Sequence, residues 1–323
     1  MRAFDQLSEQ GQIRRLRKLA VSALPRWPIR VRRLRPLTFW ENATWRVQAE
    51  QGDFLLRVHR QGYRDRPAIE AELRWLDRLR QAGLPVQSAL AVRSGERVVE
   101  ARGPGGERRH LSLLSWIDGR RRLRPGRRQA AEIGALLARM HLAVEGMEPL
   151  PRMAWDEAGW FAPLPTGCEE VDGALSSADR ELLARARQEL IDRTSRLGRG
   201  AAVYGAIHSD LHLHNLVWRG PEPCPIDFDD GGPGWFAMDL GVPSVRLARQ
   251  DPALVEVMVR AYRELRPLSE EELQLAAAMP ALRAAIIPGW LATRQASAAV
   301  RRATLPSLRR WMGTLREYYG QAS

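Results

Sequence analysis

Residues 208–215 read HSDLHLHN, and residues 226–230 read IDFDD. Three of the chain's six histidines, an aspartate and an asparagine fall within the first of these runs. Two chemistries use such a set. In the first, His208, His212 and His214 with Asp210 hold a zinc ion that activates water; a catalytic zinc site takes three protein ligands in open tetrahedral geometry. In the second, Asp210 is a base that takes a proton from an attacking hydroxyl, while Asn215 and Asp227 offer hard oxygens to Mg2+. That ion suits a few protein oxygens completed by phosphate oxygens and water. An aspartate, an asparagine five residues later, a hairpin and a second aspartate form a phosphoryl-transfer layout.

The segments around these residues decide whether they can meet. AVYGAI, NLVWR and CPIDF read as strands, with HSDLHLH as a loop and GPEP as a turn. A hairpin of the last two strands brings Asn215, at the start of one, beside Asp227, at the end of the other. Upstream, the amphipathic stretch from about Phe4 to Leu24 predicts a helix ended by Pro25 and Pro28. IRVRRLRPL, ATWRVQA and DFLLRVH then alternate apolar and polar residues and predict three short antiparallel strands. Ile69, Leu73, Leu76 and Leu79 recur at helical spacing up to QAGLP, and VQSALAV, ERVVE and HLSLLSWI add further strands. From Pro125 helices dominate: RQAAEIGALLARMHLAV, SSADRELLARARQELIDRTSRL, DPALVEVMVRAYREL, SEEELQLAAAM and TLPSLRRWMGTLREYY. The expected fold class is α+β: a small antiparallel-sheet lobe with one helix over residues 1–113, a connection at 114–120, and a larger, mainly helical lobe over 121–323.

A chain of 323 residues with 45% hydrophobic and 27% charged residues can bury a large core. LAAAMPALRAAIIPGWLA is the nearest approach to a membrane span, and Pro280, Arg283 and Pro288 break it. The opening MRAFDQLSEQ has acids where an export signal needs an apolar core, and the two cysteines, Cys168 and Cys224, make no disulfide framework, so a cytoplasmic protein is expected. The net charge of +12 rests almost wholly on arginine, since Lys18 is the single lysine. The arginines are spread along the chain without an aromatic-interleaved basic motif, so nucleic acid is not the expected partner.

HSDLHLHN, IDFDD and the following MDLG resemble the catalytic core of the aminoglycoside phosphotransferase and choline kinase superfamily, relatives of protein kinases. The order of motifs is most similar to the stress-response Ser/Thr kinase branch, and the resemblance runs from about residue 34 to beyond 290. It implies a bilobal protein-kinase-like fold and an ATP- and Mg2+-dependent transfer of phosphate to a hydroxyl of a small molecule or of protein Ser/Thr. It also implies that Asp210 is the catalytic base, that Asn215 and Asp227 are the metal ligands, and that His208 and Asp239 brace the catalytic loop. Two positions depart from the common pattern: Ser209 and His214 stand where many relatives have glycine. Asp229 and Asp230 continue the metal motif, as ligands of a second ion or as turn carboxylates.

A kinase N-lobe needs a third-strand cation for the α and β phosphates and a helical glutamate to hold it. DFLLRVH offers Arg57 where protein kinases carry lysine; arginine stays charged and can fork onto a carboxylate or phosphate. At about 100° per residue, Glu72 lies inside the stripe of Ile69, Leu73, Leu76 and Leu79, and Glu70 lies off it, which selects Glu72. LTFWENATWRV looks like the family's loop over the nucleotide, so Glu41 and Asn42 are expected at its lid. LLSWIDG resembles the hinge whose backbone, Leu114 to Trp116, meets adenine. A nucleotide-binding pseudokinase is the main alternative, suggested by the absent lysine; the retained Asp210 and Asp227 argue against it. The zinc hydrolase is a third, and it leaves Asn215, the hairpin and MDLG unexplained.

Overall fold

A computed structural model describes residues 3–39, 42–103, 105–161 and 168–321. The chain forms two compact units. The first comprises Met1–Arg74, Gln87–Trp116 and Thr293–Thr304; the second comprises Trp75–Val86, Ile117–Ala292 and Leu305–Ser323.

The first unit opens with α1 (Glu9–Ala23), which starts later than its amphipathic pattern suggests. Ser8 is the reason: its Oγ accepts a hydrogen bond from Gly11 N at 3.3 Å and caps the helix. The strands are β1 (Val31–Phe39), β2 (Ala43–Ala49) and β3 (Gly52–Val58), then, after α2 (Arg66–Gln81), β4 (Ala89–Leu90), β5 (Val98–Arg102) and β6 (Arg108–Ser115). All pair antiparallel, in the order β1-β2-β3-β6, with β4 and β5 both pairing with β6. In the register Val58 faces Ala43 and Leu111, and Arg57 faces Thr44 and Ser112. Side chains alternate across a strand. Ala43, Trp45, Val47, Leu56, Val58, Leu111 and Leu113 therefore share one face, where they form a core with Leu16, Leu19, Ala20 and Ala23 of α1. Arg57 and Ser112 point to the other face.

The second unit contains α3 (Arg127–Val144), α4 (Glu169–Asp172) and α5 (Ser177–Leu197), followed by the short strands β7 (Tyr204–Ile207), β8 (Leu216–Arg219), β9 (Glu222–Pro225) and β10 (Gly232–Trp235). The helices α6 (Phe236–Gln250), α7 (Ala253–Leu265), α8 (Glu270–Leu282) and α9 (Ile287–Ala292), with α10 (Ala298–Gln321) from Leu305 onward, complete it. Ser176 with Asp179 and Ser269 with Glu272 close reciprocal capping boxes on α5 and α8. β8 and β9 form the expected hairpin, and β10 pairs with β7. α3 and α7 pack so closely that a Cβ on Gly134 would lie 2.0 Å from the Met258 carbonyl oxygen.

α6 is not among the helices expected from the sequence, and it contains Gly241 and Pro243, which disfavour a helix interior. Pro243 removes an internal N–H bond, which costs about 3 kcal/mol. Burial of Phe236, Leu240 and Leu247, all fully enclosed, gives about 1.5–3 kcal/mol each and outweighs it. Gly241 lets α8 approach: a Cβ there would meet that of Met279 at 2.3 Å. Among the described residues, no helix is long and apolar enough to cross a membrane.

Candidate active site

The loop between β7 and β8 is organised by one carboxylate. Asp239, in the first turn of α6 and fully buried, accepts the N–H of His208 at 2.7 Å on Oδ2 and that of Ser209 at 2.5 Å on Oδ1. His141 Nε2 also lies 3.2 Å from Oδ2. Ser209 adopts a left-handed backbone, φ 64°, and so does Asp227, φ 68°. A non-glycine residue there is strained by about 1–2 kcal/mol, and such strain persists only where the surroundings over-determine it. At Ser209 they do: its N–H is pinned by Asp239, and its hydroxyl donates to the Asp230 carbonyl at 3.0 Å. The serine in place of glycine thus adds a tie between the two functional loops.

Asp210 follows directly. Its Oδ1 accepts from Arg283 Nη2 at 2.7 Å, and its Oδ2 accepts from Asn215 Nδ2 at 3.2 Å. Arg283 Nη1 also donates to the Ser209 carbonyl, so this arginine grips the loop at two successive residues. Asn215 Nδ2 bonds the Asp210 carbonyl at 3.0 Å as well, which orients the amide with its Oδ1 as a remaining acceptor. Ile226 N donates to the Asn215 carbonyl at 2.9 Å, so the hairpin places Asp227 next to the asparagine's strand. His208 Nε2 lies 3.0 Å from the Ile226 carbonyl, and its Nδ1 accepts Asp210 N at 3.3 Å. Both ring nitrogens are therefore occupied by the backbone, which removes His208 from a zinc ligand set. His212 Nε2 stands 3.6 Å from Asp210 Oδ2, while the ring of His214 is exposed.

Arg152, which sequence reasoning does not single out, knots the loop after Asp227. Its side chain is buried and donates to the carbonyls of Phe228, Asp229 and Gly231 at 2.7–2.8 Å. Asp229 is buried 4.0 Å from Arg152 Nη2, and Asp230 Oδ2 accepts from Trp290 Nε1 at 3.3 Å. Both carboxylates thus have protein partners.

In the first unit, Arg57 Nη1 reaches Glu72 Oε1 at 2.6 Å, with side chains 3% and 1% exposed. Glu70 instead pairs with Arg66 on the surface at 2.8 Å. Asn42 Oδ1 accepts the N–H of Arg60 at 3.0 Å and braces the end of β3. Leu114 is buried between Leu55 and Ala89 in the sheet. Trp116 donates its N–H to the Asp53 carbonyl at 3.3 Å, and Arg46 stacks over its ring at 4.5 Å. Glu41 lies outside the described residues.

Burial, first of all, holds the imidazoles of His141 and His208 below the ordinary value despite the nearby Asp239 charge. Neutral His141 then has one arrangement: Nε2–H donates to Asp239, and Nδ1 accepts from the Tyr262 hydroxyl at 2.8 Å. Burial pushes the Asp239 carboxyl upward, and the hydrogen bonds from His141 and His208 N–H outweigh it, leaving it below the usual range. Below the unfolded histidine value of about 6.5, the unfolded chain binds protons that the folded chain refuses, so stability rises with pH across that window. The melting temperature is expected to fall as pH drops from about 7.5 to about 5.5. His141→Gln, which retains a donor toward Asp239, is expected to flatten that fall; an unchanged pH slope would contradict the assignment.

Asn215 Oδ1 and the Asp227 carboxylate are hard oxygens suited to a divalent cation that fills its shell with phosphate oxygens. Among the described residues, no group of three or more His, Cys, Asp and Glu side chains is gathered to hold a metal ion without such help.

Fold and site together define a protein-kinase-like phosphotransferase with a hydroxyl group as acceptor. The profile of the phosphotransferase enzyme family matches residues 33–284, and the chain belongs to that family. A homoserine kinase of Pseudomonas aeruginosa is 30% identical over 258 residues, covering 78% of this chain and 77% of that protein. The structure of a microcompartment-associated aminopropanol kinase is 25% identical with a TM-score of 0.71, over 92% of this chain and 98% of that one. An amicoumacin kinase in complex with AMP-PNP, Ca2+ and Ami shares the fold at 20% identity, TM-score 0.75, with 92% of each chain covered. Membership of a kinase family implies a nucleotide donor and a divalent metal.

Proposed function

We propose that the protein transfers the γ-phosphate of ATP to the hydroxyl of a small amino alcohol of the homoserine or aminopropanol kind. The observation that carries this reading is Asp210, whose two carboxylate oxygens are fixed by Asn215 and Arg283 on a loop anchored to a buried carboxylate. The names of the relatives with 30% and 25% identity support the acceptor class. The acceptor oxygen attacks the γ-phosphorus, the bond to the β–γ bridging oxygen breaks, and ADP departs. Asp210 receives the hydroxyl proton. Mg2+, held by Asn215 and Asp227, would neutralise charge on the phosphates. Arg57, fixed by Glu72, orients the α and β phosphates. Positioning and fixed charge supply most of the acceleration.

The test is product analysis: protein, Mg2+ and ATP incubated with L-homoserine, 1-amino-2-propanol or a Ser/Thr peptide, and phosphoester followed by 31P NMR. A phosphoester on an amino alcohol is expected. Phosphorylation of the peptide alone would move the acceptor class to protein, and ADP release without a phosphoester in any arm would sink the reading. In parallel, Mg-ATP at a hundred times its dissociation constant adds about 2.7 kcal/mol of stability. The resulting rise in melting temperature is expected to be largely lost in Asp227→Ala. Arg283→Met is expected to lower kcat on the order of 10²-fold by releasing Asp210 from its orientation, with the ATP dissociation constant little changed. Equal kcat values would show that Asn215 alone orients the carboxylate.

A further inference from the structure

The cavity on the α1 side of the first unit's sheet plays no part in the site above. It measures about 320 Å3 and is lined in part by Leu16, Val58, Arg60, Arg109 and Ala296. That size is at the lower end for small-ligand sites, about 300–1,000 Å3. Val58 and Arg57 are consecutive in β3, so the cavity lies on the opposite face from the Arg57–Glu72 pair. Arg109 sits on β6 two residues from Leu111, the partner of Val58, and therefore points to the cavity face.

Arg109 is the unusual residue. It is 93% buried, being 7% exposed, and its Nε has no hydrogen-bond partner. Its guanidinium stacks over Phe4, also a lining residue, at 4.7 Å. The neighbouring acid, Glu107, is 3.8 Å from Arg15 instead. Burial, only partly offset by Glu107 and reinforced by Arg60, lowers Arg109 to about 10, so it still carries its charge at neutral pH. A buried cation without a hydrogen-bonded counter-charge is costly. Arg60 brings a second guanidinium to the wall, and among the described residues the single lining carboxylate, Asp5, is exposed.

The rim is held in place. Fully buried Gln12 donates to the carbonyls of Phe4 at 2.9 Å and Ala296 at 3.0 Å, and it accepts Ala298 N at 3.3 Å. We propose that this cavity binds a small organic oxyanion, a phosphate or carboxylate on a short apolar body. The oxyanion meets Arg109 and Arg60, and the body lies against Phe4, Leu16 and Val58.

Calorimetric titration of the full chain, saturated with Mg-ADP to occupy the nucleotide site, tests this with phenyl phosphate, benzoate and inorganic phosphate as probes. Phenyl phosphate or benzoate is expected to bind more tightly than inorganic phosphate, and comparison of the two identifies which oxyanion is preferred. Arg109→Leu is expected to weaken binding on the order of ten- to a hundredfold, the usual loss with a charged hydrogen bond. Ala296→Glu, at an exposed rim position, places a carboxylate at the mouth and is expected to do the same. If Arg109→Leu does not fold by circular dichroism, Ala296→Glu decides. The proposal is overturned if none of the three probes binds the wild type, or if either folded variant binds as the wild type does.

Discussion

Asp210→Ala is expected to lower the rate of phosphate transfer by about 10²- to 10⁴-fold, the usual contribution of a positioned general base, while nucleotide affinity stays near that of the wild type. The carboxylate is not needed to hold the loop: Asp239 grips His208 and Ser209 through their N–H groups, and Arg283 also bonds the Ser209 carbonyl. Alanine therefore removes the proposed proton acceptor and leaves the backbone ties in place. Parallel falls in kcat and kcat/KM, with an unchanged ATP dissociation constant by calorimetry, are the expected signature of a group acting in the transition state. Turnover equal to wild type would remove Asp210 from the chemistry.

The second large effect concerns stability. Arg57→Met takes away the cation facing Glu72, whose side chain is 1% exposed. Breaking a buried pair from one side costs about 3–5 kcal/mol, whereas replacing both partners by apolar residues is often neutral or stabilising. Denaturant unfolding is therefore expected to show a large loss in Arg57→Met and substantial recovery in Arg57→Met/Glu72→Met. Under the proposed role of Arg57 at the α and β phosphates, nucleotide binding should be weakened in both, because the guanidinium is gone in both. If the double variant is no more stable than the single one, the pair is not the source of the loss.

The meeting of HSDLHLHN and IDFDD was legible because the two segments are close in the chain. Asp210, Asn215 and Asp227 are joined by one short loop and one hairpin, so spacing alone predicts that they converge. Glu72 was legible through helical periodicity, which places it on the buried stripe and Glu70 outside it. Arg283 and Arg152 were not, since each acts across more than seventy residues and neither differs in pattern from the many other arginines of this chain. The helix carrying Asp239 was hidden for another reason. Gly241 and Pro243 weaken local helix preference, and only the burial of Phe236, Leu240 and Leu247 in tertiary packing restores it. The start of α1 shows the reverse case, where one local hydrogen bond from Ser8 overrides a longer amphipathic pattern.

In its proposed place at the phosphates, the guanidinium at position 57 also governs how such a protein can be found. Reagents that acylate a lysine beside bound nucleotide need an ε-amine there, and this chain has one lysine, Lys18, exposed on α1. A guanidinium stays protonated and is a poor nucleophile at physiological pH. Chemoproteomic profiling that inventories kinases by amine labelling would leave this one uncounted, whatever its abundance or activity in the cell.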